Sequence, residues 1–210
     1  MGRWTLVTFA TALAVASTPD SVRAETSPAQ LHVRIYDNTR LPRGHLTESL
    51  IHTSSLLASV GFDVWWLDCS AAGPALPPGP GAKSSASCAE PLAAGELALR
   101  IVHAPTPPGY RGQLPLGDSL IDHDRGFGVL ATIYYERVEW FAAAAKVPMP
   151  PVLSHAMAHE IAHLLIGSSK HAESGLMRPV WRGEDLHRNQ SSDWQFSPAD
   201  AKAIREKRRN

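Results

Sequence analysis

A chain of 210 residues is long enough to form one compact domain with its own hydrophobic core. Hydrophobic residues make up 44% of the chain and charged residues 19%, a balance that argues against intrinsic disorder. The formal net charge is zero, so the charge does not favour a nucleic acid or an anionic membrane as a partner. We expect a monomer without a nucleic-acid partner.

The N-terminus is typical of a secretory signal peptide. Arg3 supplies a positive charge, and residues 6–16 form an apolar stretch that is too short to span a bilayer. Small residues permit cleavage after Ala16 or Ala24, and we favour Ala24 because the pattern of a folded domain begins only after it. The sequence predicts a signal peptide (1–24), one domain (25–210), a secreted or periplasmic location and no stable membrane anchor.

The first part of the mature chain predicts a β-α-β unit. Apolar and polar side chains alternate over residues 31–36, which indicates a half-buried strand. Pro42 opens a helix that extends to about Val60 and is stopped by Gly61. Residues 62–67 predict a second strand, and two strands joined in this way are expected to be parallel with a right-handed crossover.

Two cysteines, Cys69 and Cys88, flank a loop rich in Gly, Pro, Ala and Ser. Export would place them in an oxidising compartment, where they can pair. A zinc site built on them is disfavoured because no Cys-x-x-Cys is present, and two free thiols are the other alternative. We predict a disulfide, which would stabilise the fold by about 3 kcal/mol.

The remaining elements predict an α+β fold with an α/β-like N-terminal half. Residues 96–102 and 127–135 predict strands, and 138–146 predicts a short helix or a strand-to-helix connection. Residues 104–126 are rich in Pro and Gly and predict one long loop, which is usually functional or mobile. Ser197 is the expected N-cap of a C-terminal helix, so the domain should combine a mixed twisted sheet with a central helix and a C-terminal helix.

The central helix, predicted over 152–166 and ended by Gly167, contains His159-Glu-Ile-Ala-His163. Four-residue spacing places both imidazoles on one helix face, where they can bind one metal ion. Glu160 lies beside them and can take a proton from a metal-bound water. The motif predicts a zinc hydrolase.

A zinc ion bound by two histidines needs a third protein ligand, with the fourth position open to water. His171 follows just beyond the glycine that ends the helix, where the chain can fold back towards the metal. Glu173 is the reserve candidate, and Glu184 and Asp185 are more remote ones.

The stretch from His159 through Gly167 and His171 to Ser174-Gly-Leu-Met177 resembles the metzincins, a clan of zinc endopeptidases with an extended His-Glu-x-x-His motif and a Met-turn. The β-α-β start and the strand before the metal helix are also similar to that clan's N-terminal subdomain. The resemblance implies a zincin domain with these roles: zinc ligands His159, His163 and His171, general base Glu160, and Met177 as support beneath the metal.

The spacing departs from the metzincin pattern in one place. The third histidine of the clan follows the second by six residues, whereas His171 comes eight residues after His163. Ile166 occupies the usual glycine position, and Gly167 comes one residue late. The turn must therefore absorb two extra residues, for which Gly167 and the two serines after it are suited.

Other polar residues have a structural and a functional interpretation. His155, one helical turn before the motif, could support a ligand or the substrate, or could be a hydrogen-bonded histidine without a role. Asp118, Asp122, His123 and Asp124 could bind a structural cation, but a solvated acidic turn is favoured.

The sequence thus predicts a secreted zinc metalloendopeptidase that acts on peptides or proteins. An extended substrate could pair with the strand over 127–133 if that strand is an edge. The alternatives are a zinc hydrolase of a non-peptide substrate, a zinc module without catalysis, and a disulfide-stapled binding domain in which the motif is coincidental.

Overall fold

The computed structural model describes residues 27–70, 88–105, 114–124, 126–183 and 194–207. The predicted signal peptide lies outside these ranges, as do Glu184 and Asp185. Within the described ranges, no helix combines the length and apolarity that crossing a bilayer requires.

The described residues begin with a strand and a helix, continue with four strands in succession and end with three helices. In chain order the elements are β1 (Ala29–Asp37), α1 (Arg43–Ala58), β2 (Phe62–Asp68), β3 (Leu97–Val102), β4 (Gly117–Asp122), β5 (Phe127–Tyr134), α2 (Tyr135–Ala145), α3 (Met149–Ile166) and α4 (Pro198–Lys207).

The five strands form one mixed sheet in the order β2-β1-β3-β5-β4. β1 is parallel to β2, with Ala29 opposite Phe62, and the predicted β-α-β unit is confirmed. The β1–β3 and β3–β5 pairs are also parallel, whereas β4 is antiparallel to β5. The predicted α+β class with a mixed sheet and an α/β-like first half is confirmed.

The prediction of one long loop over 104–126 is wrong for part of its length, because residues 117–122 form β4. The sequence of this strand, Gly-Asp-Ser-Leu-Ile-Asp, contains residues with low strand propensity. The strand forms nevertheless, because it pairs with β5 and contacts α3.

The expectation that β5 could be an edge strand is also wrong. β5 lies between β3 and β4, so both of its sides are already paired. The edge on this side of the sheet is β4, which leaves one row of backbone groups unpaired within the sheet.

The helices α1 and α3 pack on each other and on the sheet. Large apolar side chains fill this layer, and several are fully buried: Ile35, Leu99, Ile101, Ile133, Leu153, Met157 and Ile161. Each contributes roughly 1.5–3 kcal/mol by leaving water. Hydroxyls also join the two helices, since Ser49 Oγ donates to Pro150 O at 3.2 Å and Thr53 Oγ1 donates to Ser154 O at 3.3 Å.

Helix limits differ from the predictions by a few residues. α3 begins at Met149 rather than Val152, because proline at the start of a helix loses no needed hydrogen bond. Ser197 caps α4 as predicted: its hydroxyl accepts from Asp200 N at 3.2 Å, while Asp200 Oδ2 accepts from Ser197 N at 3.0 Å.

Two contacts attach the segment after residue 87 to the sheet. Cys69 and Cys88 form the predicted disulfide, with their Cα atoms 5.6 Å apart. Arg34, buried on β1, pairs with Glu96 at 2.6 Å and also donates to Glu90 O at 2.6 Å.

Candidate metal centre and its cavity

Helix α3 carries the motif through the interior of the protein. It contacts α1, α2, β4, β5 and α4, and most of its residues from Val152 to Leu164 are buried. Gly167 ends it with φ of 66°, and a Cβ there would lie 1.9 Å from Gly126 O. Only glycine fits this position, which brings the end of the helix against the start of β5.

Three histidines converge at the end of this helix. The possible ligand atoms of His159, His163 and His171 all lie within 4.8 Å of one another, and no other group of this kind occurs in the described part of the chain. His159 and His163 are buried and their Nε2 atoms are 3.0 Å apart, whereas His171 approaches from the exposed side.

Backbone carbonyls fix the tautomers of the two helical histidines. His159 Nδ1 is 2.9 Å from Leu176 O, and His163 Nδ1 is 2.7 Å from Ser168 O. A carbonyl oxygen can only accept, so both Nδ1 atoms carry the proton and both Nε2 atoms present lone pairs. Such outer contacts orient metal-binding histidines in general.

The donor set fits a zinc ion. Burial lowers the pKa of His159 to about 3 and also lowers the pKa of His163 and His171, so all three imidazoles are neutral near pH 7. Two Nε2 lone pairs that face each other across 3.0 Å repel unless a cation lies between them. Tetrahedral zinc places two nitrogen ligands about 3.3 Å apart, close to this separation.

The structure brings His171, and not Glu173, to the other two histidines. Glu173 is exposed and lies outside the group, while Glu184 and Asp185 fall outside the described residues. The longer spacing is absorbed by the left-handed turn at Gly167 and by Ser168, whose carbonyl accepts from His163.

The Leu176–Met177 segment reaches the site through its backbone. Leu176 O accepts from His159, and Met177 O accepts from Ala172 N at 2.9 Å, next to His171. Both side chains are fully buried. The segment therefore ties one helical histidine to the loop that carries the third, while the supporting role of the Met177 side chain stays a prediction.

Glu160 is buried beside the histidines and is held by a residue that the sequence analysis did not single out. The hydroxyl of Ser119, on β4, lies 2.7 Å from Glu160 Oε2 and 2.8 Å from Glu160 O. Burial raises the pKa of Glu160 to about 7, and the Ser119 hydrogen bond opposes that rise. A carboxyl with a pKa near neutrality can both accept and deliver a proton.

Gly117, at the start of β4, gives Glu160 the space it occupies. A Cβ on Gly117 would lie 2.8 Å from Glu160 Cγ and 2.6 Å from Thr132 O. Neither Gly117 nor Ser119 carries a recognisable motif, and only their place on β4 identifies them.

Aromatic rings surround the outer side of His159. The ring of Trp181 meets it edge-to-face, with centroids 5.7 Å apart, and also contacts Trp194 at 5.5 Å. His155 donates from Nδ1 to Pro151 O and packs edge-to-face on Trp194 at 5.0 Å. His155 is thus a hydrogen-bonded member of this aromatic cluster, and it meets Trp181, the ring partner of His159, edge-to-face at 6.4 Å.

A cavity of about 680 Å³ opens over the histidines and Glu160. One wall is the edge strand β4 with the residues before it, another is α2, and a third is the segment from Arg178 to Gly183. Trp140 and Phe141 make the α2 wall apolar. The site can therefore hold a ligand much larger than water beside a basic carboxylate.

The acidic residues of the β4–β5 region do not assemble a cation site among the described residues. Asp118 Oδ1 accepts from Tyr134 Oη at 2.6 Å, and Asp122 Oδ1 accepts from Asp124 N at 3.1 Å. All three aspartates and His123 are exposed, which agrees with the favoured interpretation as a solvated acidic turn.

Comparison with known proteins finds similarity at the level of the fold. No family model matches the sequence, and no curated protein matches it. Among solved structures it is similar to archaemetzincin from Methanopyrus kandleri, with a TM-score of 0.55 and 12% identity over 86% of this chain and 97% of that chain.

A second similar structure is metalloproteinase-II from Bacteroides fragilis, with a TM-score of 0.51 and 14% identity over 88% of this chain. The match covers 55% of that protein, so this chain spans about half of its length. At these identities the likeness concerns the fold, which is similar to that of metallopeptidases as the sequence resemblance implied.

Proposed function

We propose that this protein is an exported zinc-dependent metalloendopeptidase that hydrolyses peptide bonds. His159, His163 and His171 would hold Zn²⁺, and Glu160 would be the general base. The observation that carries the proposal is a buried carboxylate, Glu160, beside three convergent neutral imidazoles at the base of a cavity.

Zinc bound by three neutral imidazoles retains its charge and supplies Lewis acidity, which acidifies water and polarises a carbonyl group. Ser119 occupies Oε2 of Glu160, which leaves Oε1 to take the proton from the attacking water. Glu160 then delivers this proton to the departing amine. In the metal-free protein, burial raises the pKa of Glu160 to about 7.

The substrate would extend along β4. This strand is the edge of the sheet and lines the cavity through Gly117, Asp118 and Ser119, so an extended peptide added there would pass Glu160. Main-chain hydrogen bonds in this arrangement supply affinity for peptides in general, and the cavity receives a side chain. This pairing replaces the one first expected on β5.

Export is part of the proposal and rests on the signal-like sequence over residues 1–24 together with the Cys69–Cys88 disulfide, which an oxidising compartment would favour. Fractionation of cells that express the full chain tests it. Mature protein that retains residues 1–24 in the cytoplasm would contradict export.

Metal analysis and peptide hydrolysis test the catalytic proposal together. We expect one zinc per chain in wild type and in Glu160→Gln, and loss of zinc in His171→Ala. Glu160→Gln should lose peptidase activity by at least about 100-fold, the usual contribution of a general base. Glu173→Ala is the matched control and should keep both zinc and activity, because Glu173 is exposed and outside the histidine group.

Zinc binding without hydrolysis of any peptide would favour a hydrolase of another substrate or a metal module without catalysis. Absence of stoichiometric metal from the wild type would overturn the proposal in favour of a binding domain.

A further inference from the structure

Arg137, in the first turn of α2, lines the same cavity as the histidines and Glu160. Its guanidinium carbon lies 4.1 Å from the centroid of the Tyr134 ring, and Nη1 donates to Pro115 O at 3.1 Å. Stacking on an aromatic face and one carbonyl contact hold the fork of this side chain in place. The group is therefore positioned before any ligand arrives.

No acidic partner satisfies this charge among the described residues. None of their ion pairs involves Arg137, and its buried Nε has no hydrogen-bond partner in the described part of the chain. A partly buried guanidinium with only a neutral carbonyl acceptor gains free energy when a carboxylate supplies charge-assisted hydrogen bonds.

The two carboxylates among the described residues of the cavity wall already have hydrogen-bond donors. Asp118 accepts from Tyr134 Oη at 2.6 Å, and Glu160 accepts from Ser119 Oγ at 2.7 Å. Arg178 and Arg182 also line the cavity, so the described part of its wall carries three arginines and two carboxylates. A negatively charged ligand is therefore favoured over a positively charged one in this space.

The apolar side chains around Arg137 strengthen this preference. Leu114, Trp140 and Phe141 line the cavity together with it. Apolar walls lower the local dielectric, and an ion pair formed between such walls is stronger than one in open water.

We propose that Arg137 binds a carboxylate of the substrate, so that the protein prefers peptides with an acidic group within the cavity. The carboxylate comes from an Asp or Glu side chain or from the C-terminus of the peptide. This inference rests on the proposed peptidase function for its cleavage test, and a binding test separates the two.

The cleavage test compares kcat/KM for peptide sets in which Glu, Gln or Lys occupies each position around the scissile bond. A second pair of peptides differs only in a free or an amidated C-terminus, which distinguishes the two sources of the carboxylate. We expect the acidic member to be preferred about 10-fold or more at one position, the ratio that one charge-assisted hydrogen bond supplies.

Substitutions of Arg137 test whether this residue causes the preference for acidic peptides. In Arg137→Ala, the kcat/KM values for the Glu and Gln peptides should become equal. Arg137→Glu should have a higher kcat/KM for the Lys peptide than for the Glu peptide. Arg100→Ala is the matched control, because Arg100 is an exposed arginine outside the cavity wall, and it should keep the wild-type ratio. Zinc content and circular dichroism of each variant establish that the fold is retained.

Binding of the same peptides to metal-free protein provides a readout independent of catalysis. Trp140 and Trp181 line the cavity and report binding by their fluorescence. We expect tighter binding of the Glu peptide than of the Gln peptide by wild type and equal binding by Arg137→Ala.

Equal cleavage of Glu and Gln peptides by wild type, or an unchanged ratio in Arg137→Ala, would overturn this inference and leave the peptidase proposal standing. Arg137-dependent peptide binding without cleavage of any peptide would support this inference and overturn the peptidase proposal.

Discussion

The hydroxyl of Ser119 lies 2.7 Å from Oε2 of Glu160, although the two residues are 41 positions apart in the chain. This contact joins the edge strand β4 to the helix that carries the histidine motif. It places the edge strand beside the Glu160 carboxylate, and it limits how far burial raises the pKa of Glu160.

Loss of the Ser119 hydroxyl should weaken catalysis and move its pH dependence. Ser119→Ala removes the hydrogen bond that opposes the raised pKa of Glu160, so that pKa should rise further and the acid limb of the kcat/KM profile should shift upward. A lost hydrogen bond costs about 1 kcal/mol, or roughly a fivefold drop at pH 7. Ser55→Ala, on the exposed face of α1, should leave the profile unchanged. An acid limb identical in Ser119→Ala and wild type would contradict this role.

Glycine at position 117 should be required for both folding and activity. Alanine there would place Cβ 2.6 Å from Thr132 O and 2.8 Å from Glu160 Cγ, so that β4 and Glu160 must shift. We expect Gly117→Ala to lower the free energy of unfolding by about 1–3 kcal/mol and to reduce kcat/KM.

The control for Gly117 is Gly44→Ala in α1, where an added Cβ meets nothing within 4 Å. Alanine has the higher helix propensity, so this variant should gain about 0.5–1 kcal/mol of stability and keep wild-type activity. Denaturant unfolding and peptide hydrolysis measure both effects. Equal stability changes in the two variants would contradict the steric argument.

The stability of the metal-free protein should respond to pH through Glu160. Its pKa is about 7 in the folded protein against an ordinary value of 4.5, so the folded state binds more protons between these values and loses stability as the pH rises through them. The loss attributable to Glu160 is about 3 kcal/mol between pH 4.5 and 7. His159 has the opposite effect, because its pKa is lowered from the ordinary value of 6.5 to about 3 in the folded protein. Through this residue the folded protein loses stability as the pH falls below 6.5.

Glu160→Gln isolates the carboxylate from the histidines. The unfolding free energy of this variant minus that of wild type should increase as the pH rises from 4.5 to 7.5. Chemical denaturation in the presence of a chelator measures it. A difference that stays constant over this range would show that Glu160 does not titrate in this way.

Removal of the Trp181 ring should weaken zinc binding, although the ring would act through His159 and not through a contact with the ion. Its edge-to-face contact with His159 restricts that imidazole, and such pairs contribute about 0.5–1.5 kcal/mol. Trp181→Ala should therefore raise the zinc dissociation constant roughly 3- to 10-fold, whereas Trp181→Phe should restore most of the affinity. Trp140→Ala is the control, because Trp140 lines the cavity without a ring contact to the histidines, and it should bind zinc normally. Unchanged affinity in Trp181→Ala would rule out the positioning role.

Local sequence patterns determined the elements whose geometry depends on near neighbours. Helical periodicity placed His159 and His163 on one face, Gly167 marked the end of α3, and Ser197 marked the start of α4. The parallel β-α-β unit followed from the order strand, helix, strand along the chain. The helix faces and helix ends depend on interactions between residues a few positions apart, which a single sequence records directly.

Tertiary structure alone decided the contacts between distant segments. β4 has a sequence of low strand propensity, and it forms because it pairs with β5 and packs against α3. This packing brings Ser119 and Gly117 into contact with Glu160. The position of His171 beside His159 and His163 depends on how the chain turns after Gly167, and the cavity position of Arg137 depends on how α2 packs on α3. Spacing along the chain cannot specify these juxtapositions, because strand register and helix packing are set by the burial of the whole core.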